Sequence, residues 1–156
     1  HTNDAATAIP RLSDMKVEPF LVAATVNIII GQRLVRKICD MCKTTQTFTQ
    51  EDLKKHLPED VIRRHFGNES ELTLYKGKGC KICHNTGYNG RLGVFEILEV
   101  TKDIRQLIAQ RNDSDLINKK AVEEGMTTML DDGLIKVVKG LTTIHEVLRV
   151  TKIEAL

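Results

Sequence analysis

The sequence contains no tryptophan, and aromatic residues make up only 4% of its 156 positions. Lys and Arg total 23 against 21 for Asp and Glu, so the net charge is only +2. Proteins bind single-stranded nucleic acids by stacking bases on aromatic side chains, and they bind duplexes through an excess of basic residues. The scarcity of aromatic residues and the small net charge therefore argue against a nucleic-acid partner. The hydrophobic fraction of 41% is sufficient for a folded core in one or two small domains.

Membrane-spanning and targeting segments are also missing. No apolar run reaches the roughly 18 residues that span a bilayer, and the nearest candidate, residues 20–30, contains Asn27. The N-terminus shows no signal-type apolar region and opens at His1 without a start methionine. We therefore expect a cytoplasmic chain that is an excised part of a longer protein.

Signatures of catalysis are absent as well. The sequence has no G-x-x-x-x-G-K-[ST] phosphate-binding loop, no G-x-S-x-G and no H-E-x-x-H. By its own residues, the chain is not expected to be a complete enzyme.

Hydrophobic periodicity predicts an α+β protein. Strands are expected where β-branched or alternating apolar residues cluster, at residues 27–37, 71–76 and 91–100. Helices are expected over much of the remainder. Their start and stop signals are Asp4 or Asn3, Pro19, Thr49-x-x-Asp52, Asp113, Gly125, Gly140 and Thr143-x-x-Glu146.

The four cysteines form two C-x-x-C pairs, Cys39 with Cys42 and Cys80 with Cys83, separated by residues 43–79. Each pair can turn two thiolates toward one point, and two pairs complete the tetrahedron that a structural zinc ion requires. Such a site is closed and contributes to folding, with no position for a substrate. The gap between the pairs exceeds the usual ribbon spacing and requires a helical insertion.

Other uses of these cysteines remain open. Disulfides fit an oxidising compartment, a redox C-x-x-C needs only one pair, and four thiolates also suit an iron–sulfur cluster. His84 follows Cys83 directly and is a fifth candidate ligand, but four thiolates already complete the site. His56, His65 and His145 lie in charged helical contexts and are expected to be surface histidines.

Several stretches together resemble the type II secretion and type IV pilus assembly ATPases. In chain order they are His1-Thr2-Asn3-Asp4-Ala5 with Ile9-Pro10-Arg11-Leu12, Gln32-Arg33-Leu34-Val35-Arg36, Gly87-Tyr88-x-Gly90-Arg91-x-Gly93-x-x-Glu96, Gly125-Met126-Thr127-Thr128 and Asp132-Gly133. The resemblance extends to about Thr151. The two cysteine pairs point to the secretion and pilus-extension members, because pilus-retraction members lack them.

The resemblance implies the C-terminal part of a RecA-like motor core with an inserted tetracysteine zinc module and a helical C-terminal subdomain. Residues 1–38 would be partial core, 39–90 the zinc module, and 91–156 the remaining core strand and the helical subdomain. Members of the family work as cytoplasmic homohexamers docked on an inner-membrane platform protein, and they reach the membrane only through that partner. They hydrolyse ATP to assemble pilin or pseudopilin fibres. ATP and Mg²⁺ would be bound only by the longer protein, whose phosphate-binding loop would precede His1.

The resemblance also assigns site residues. His1 stands at the position of the histidine that lies close to the γ-phosphate, where it can donate a hydrogen bond or order water; in this chain we expect it to be inert. Arg33, Arg36 and Arg91 are candidates for contacts with phosphate or with a neighbouring subunit, and Glu96 is a candidate partner for one of them.

Two other functions stay open on the sequence alone. One is a free-standing zinc-ribbon adaptor that binds protein or nucleic acid, and the other is a thiol redox protein. One zinc per chain would exclude the redox protein, and ATP hydrolysis by a longer chain would separate the motor from the adaptor.

Overall fold

Two antiparallel strand pairs organise the chain, of which the computed structural model describes Thr2 and residues 4–151. Strand β1 (Ile28–Ile38) pairs with β4 (Tyr88–Glu99), and β2 (Lys43–Thr49) pairs with β3 (Glu71–Gly77). The helices in this part of the chain are α1 (Ala8–Asp14), α2 (Pro19–Thr25), α3 (Gln50–Lys54), α4 (Glu59–Phe66), α5 (Lys102–Ala109), α6 (Ser114–Glu123), α7 (Met129–Val138) and α8 (Ile144–Thr151). The predicted α+β class is confirmed.

The pairing of β1 with β4 is antiparallel. Val100 N donates to Asn27 O at one end, and Cys39 N donates to Gly87 O at the other. The β2–β3 ladder runs from Lys43 opposite Gly77 to Thr49 opposite Glu71. Three of these four strands lie where the sequence predicts them, whereas β2 is not predicted.

The chain divides into two compact units, His1–Gln32 with Phe95–Met129 and Arg33–Val94 with Leu130–Leu156. We call them the first and the second unit. The three-segment division drawn from the sequence stays a prediction.

The core of the first unit is built by helices α1, α2, α5 and α6 and by the end of β4. Its buried side chains are Ala5, Ala6, Ile9, Val22, Ala23, Leu98, Val100, Ile104, Ile108, Ile117 and Ala121. Helix α2 begins at Pro19, where a missing N–H costs nothing. Helix α1 begins later than expected, because Asp4 accepts from Thr7 N (2.8 Å) in a preceding turn. Pro10 therefore falls in the first turn of α1 and causes no break. The alternative cap, Asn3, lies outside the described residues.

The core of the second unit joins the insertion between the cysteine pairs to the last two helices. Its buried side chains are Leu53, Leu57, Val61, Ile62, Leu74, Leu134, Val137, Ile144 and Val147. The insertion is helical as predicted, and Pro58 lies between its helices α3 and α4. The predicted cap is also present, because Thr49 and Asp52 exchange hydrogen bonds in a capping box.

Helices α7 and α8 approach each other closely at Gly133. A Cβ placed there would lie 2.5 Å from Val147 Cγ1, inside any allowed contact distance. Since Val147 is fully buried and short, it has no room to move away.

Among the helices of the described part of the chain, none combines the length and the apolar character that a membrane crossing requires.

Candidate metal centre

Each cysteine pair lies where strands of the second unit end. Cys39 follows the last residue of β1, and Cys42 precedes the first residue of β2. Cys80 lies three residues after β3, with Lys78 N donating to Cys42 O at 3.0 Å. Because Lys43 and Gly77 face each other in the β2–β3 ladder, the second pair is brought beside the first.

The four sulfur atoms lie within 4.8 Å of one another. Cys39 Sγ is 3.9 Å from Cys80 Sγ, Cys42 Sγ is 3.8 Å from Cys83 Sγ, and Cys80 Sγ is 3.6 Å from Cys83 Sγ. Sulfurs about 2.3 Å from a central zinc stand about 3.8 Å apart in a regular tetrahedron. The donor set therefore fits one tetrahedral ion.

These distances also bear on the alternatives. A disulfide needs sulfurs about 2.0 Å apart, and all four thiols are free. In an iron–sulfur cluster the cysteines bind different iron atoms, which places some of the sulfurs further apart than a single ion does. The observed geometry favours a mononuclear site.

Backbone N–H groups point at the sulfurs. Gly79 N donates to Cys42 Sγ at 3.3 Å, while Cys80 N and Gly87 N donate to Cys83 Sγ at 3.2 and 3.3 Å. Burial raises the pKa of Cys42 to about 11. Burial opposes ionisation of Cys83 too, but its two N–H donors lower the pKa of that thiol to about 6. Such donors stabilise thiolate charge, as the outer hydrogen bonds of metal sites do.

Two glycines allow the backbone to close around this centre. A Cβ on Gly77 would lie 2.0 Å from the carbonyl oxygen of Gly87. Gly87 has a φ of +78°, which residues with a side chain rarely adopt. The two strands that leave the site can therefore approach each other only without side chains at these positions.

The histidines divide into two groups. His84, beside Cys83, is exposed, as are His56 and His145. The prediction of a surface position is wrong for His65, whose side chain is only 10% exposed. Its Nε2 lies 2.6 Å from Asp131 Oδ1. Helix α4 holds this histidine against Asp131 of α7, a placement that its charged neighbours in the sequence did not indicate.

The three candidate arginines occupy different surroundings. Arg33 is half-buried on β1 and Arg91 is exposed on β4. Arg36 lies on β1 three residues after Arg33, with its guanidinium 4.3 Å from the ring centroid of Tyr88. His1 lies outside the described residues. The site role of these three arginines stays a prediction.

Glu96 and Glu146 are buried carboxylates whose roles the sequence did not reveal. In the first unit, Glu96 accepts from the backbone N of Ala5 (2.8 Å) and of Met129 (3.1 Å), instead of from an arginine. In the second unit, Glu146 accepts from both Arg36 and Arg149. Its place in the Thr143-x-x-Glu146 pattern predicted a helix cap, and Glu146 N does approach Thr143 Oγ1 (3.4 Å) while the carboxylate serves the arginines.

The known proteins that this chain resembles belong to secretion and pilus assembly systems. The model of the family described as "Type II/IV secretion system protein" matches residues 1–149. The chain is 42% identical to the "Type IV pilus assembly ATPase PilB" of Thermus thermophilus, over 95% of this chain and 16% of that protein. It is 39% identical to the protein of the same name in Pseudomonas aeruginosa, over 97% of this chain and 26% of that protein.

A secretion protein matches equally broadly. The "Type II secretion system protein E" of Pectobacterium carotovorum is 38% identical over 99% of this chain and 29% of its own length. The chain thus spans less than a third of each of these three relatives. Since the family model covers nearly the whole chain, the resemblance read from the sequence is confirmed, and the chain belongs to the type II/IV secretion system protein family.

Proposed function

We propose that this chain is the C-terminal part of a cytoplasmic motor ATPase that assembles pilin or pseudopilin fibres. The observation that carries the proposal is the family match over residues 1–149. Relatives named as pilus assembly ATPases support it, as does the fraction of their length that this chain spans. ATP and Mg²⁺ would be held by a phosphate-binding loop in the preceding part of the longer protein.

An apolar sheet face in the first unit supports the RecA-like assignment. Alternation along β1 and β4 leaves Ile28, Ile30, Phe95 and Ile97 between 40% and 62% exposed. Exposed apolar residues that cluster on one sheet face mark a surface that another element covers. We assign this face to packing against the preceding strands and helices of the motor core.

The motor proposal is tested by extending the chain upstream of His1. We expect the longer protein to hydrolyse ATP, and His1→Ala to lower the rate about a hundredfold, within the range for loss of a positioned proton donor. His145→Ala, at an exposed histidine, is the matched control. An upstream sequence without a phosphate-binding loop, or equal rates for both variants, contradicts the proposal.

The same function implies neighbouring subunits in a homohexamer and an inner-membrane platform protein as partners. Because Arg36 is engaged with Glu146 and Tyr88, we assign the contact with phosphate or a neighbouring subunit to exposed Arg91. Arg91→Ala in the longer protein should lower ATP hydrolysis while the melting temperature stays unchanged. Light scattering with a non-hydrolysable ATP analogue reports whether the hexamer persists, and unchanged hydrolysis excludes the role of Arg91.

We further propose that the four cysteines hold one structural zinc ion. The sulfur distances and the N–H donors to Cys42 and Cys83 support it. Metal analysis should give one zinc per chain, and Cys39→Ser should release it and unfold residues 39–90, because structural zinc contributes directly to folding. His84→Asn, which tolerates the φ of +51° at this position, should keep the metal. Metal-free wild-type protein with an unchanged circular dichroism spectrum contradicts the assignment.

A further inference from the structure

A cavity of about 700 Å³ lies within the second unit. Its floor is apolar, with contributions from Phe48, Leu74, Val137, Ile144 and Leu148. Small-molecule sites in proteins have volumes of roughly 300–1,000 Å³ and combine an apolar lining with a few polar groups. The cavity therefore has the size and the lining of a ligand site.

The polar part of the lining is cationic. Lys76 and Arg149 contribute to it, together with the imidazoles of His56 and His145. Lys43 adds a further positive charge, since its Nζ lies 4.4 Å from the ring centroid of Tyr75 in the wall. Among the described residues that line the cavity, none is Asp or Glu.

The guanidinium of Arg149 is already oriented. Its Nε donates to Glu146 Oε1 at 3.2 Å and its Nη2 to Glu146 Oε2 at 2.8 Å. Glu146 is fully buried and also binds Arg36, so two guanidiniums outweigh one carboxylate and the local charge stays positive. A side chain fixed before binding loses little conformational entropy when a ligand arrives.

A hydroxyl pair lies in the same wall. Tyr88 Oη and Thr143 Oγ1 are 3.0 Å apart and both residues line the cavity. Hydroxyls donate and accept hydrogen bonds, so this pair can bind the same carboxylate that makes charged contacts with Arg149 and Lys76.

We propose that this cavity binds an amphiphilic carboxylate, with an aliphatic or aromatic body on the apolar floor and its charged head at Lys76 and Arg149. The proposal rests on the cavity alone and is independent of the motor function. The exposed sheet face of the first unit, at Ile28, Ile30, Phe95 and Ile97, is the alternative binding surface for an apolar ligand.

Three probe molecules separate the contribution of the apolar body to the binding affinity from that of the charged head group. The zinc-loaded chain is titrated with octanoate, octanol and acetate while amide shifts are followed by ¹H–¹⁵N NMR. Octanoate should shift Gly77, Thr143 and Leu148 with saturation, and octanol should bind about tenfold more weakly because it lacks the charge-assisted hydrogen bond. Acetate should not saturate. Equal binding of octanoate and octanol, or shifts confined to residues 28–30 and 95–97, overturns the proposal.

Matched charge reversals test the cationic part of the lining. Lys76→Glu, at an exposed residue of β3, should weaken octanoate binding about tenfold, whereas Lys119→Glu, exposed on α6, should leave it unchanged. Equal affinities in the two variants contradict the assignment of the head group. The probe series requires no variant, so it still decides the proposal if Lys76→Glu fails to fold.

Discussion

Replacing Glu146 with glutamine removes one buried negative charge from between two arginines. Both carboxylate oxygens are in use: Arg36 donates from its backbone N (2.9 Å) and its Nη2 (2.8 Å), and Arg149 donates from Nε and Nη2. An amide has one oxygen and an NH₂ group, so at least one of these donors would face another donor. We expect Glu146→Gln to fold and to be destabilised.

The magnitude follows from the ionisation of this carboxyl group. Burial opposes its charge, but hydrogen bonds from Arg149 and Arg36 lower the pKa of Glu146 from 4.5 to about 2. A difference of this size corresponds to about 3 kcal/mol in favour of the ionised folded state. Both arginine side chains are nearly half exposed, at 47% and 49%, so water screens part of the attraction. We therefore expect Glu146→Gln to lower the free energy of unfolding by about 2–3 kcal/mol at pH 7.

The pH dependence has a definite sign. Because the folded-state pKa is below the unfolded-state value, the stabilisation is fully present above about pH 4.5 and is lost as the pH falls toward 2. The wild type and Glu146→Gln should therefore converge in stability over that range. Release of the metal in acid affects both proteins, so the difference between them isolates the carboxylate.

Tyrosine fluorescence during urea unfolding is a suitable assay, because the chain has no tryptophan and both of its tyrosines, Tyr75 and Tyr88, lie in the second unit. Glu59→Gln is the matched control, since Glu59 forms an exposed pair with Lys54 and its loss should cost less than about 1 kcal/mol. If both variants lose the same stability, or if the deficit of Glu146→Gln persists at pH 2, the buried charge does not stabilise the fold as we infer.

Three further predictions concern the packing of α7 on α8, the metal centre and a helix cap. Gly133→Ala should lower the free energy of unfolding by about 1–3 kcal/mol, although alanine has a better helix propensity than glycine. Adding Val147→Ala to the same chain should restore part of that stability in thermal melts. Gly77→Ala should weaken metal retention against a chelator, because its Cβ would overlap the carbonyl of Gly87, and unchanged retention would disprove the close approach. Asp113→Ala should cost about 1 kcal/mol in urea unfolding, since Asp113 caps α6 through Leu116 N at 2.8 Å; no loss would show that the cap is dispensable.

Local signals in the sequence were sufficient for much of the fold. Asp113 and Thr49 have side chains that bind the first amides of a helix, and Pro19 supplies a fixed φ, so each marks a helix start without reference to distant residues. The two C-x-x-C pairs predicted that the four sulfur atoms lie close together, because one structural zinc ion binds four thiolates in a tetrahedron.

Other features depend on partners that the sequence does not place side by side. Strand β2 reads Lys-Thr-Thr-Gln-Thr-Phe-Thr and has little apolar alternation, so only its ladder with β3 defines it. Glu146 and Arg36 are 110 positions apart, and the helix-capping pattern around Glu146 offered a complete local explanation of that residue. The cationic cavity likewise combines β2, β3 and α8, which no single motif records.

Residues 40–86, which include the insertion between the cysteine pairs, begin and end at neighbouring points of the fold. Cys39 N donates to Gly87 O at 3.0 Å, so the two residues that flank this segment are in contact. Residues 40–86 could therefore be deleted and the ends joined by a short turn without separating β1 from β4. Deletion would nevertheless uncover Leu134, Val137 and Val147, which now pack against the insertion. A shortened chain would require polar replacements on α7 and α8, so in this family loss of the cysteines and a change in the character of the last two helices should occur together.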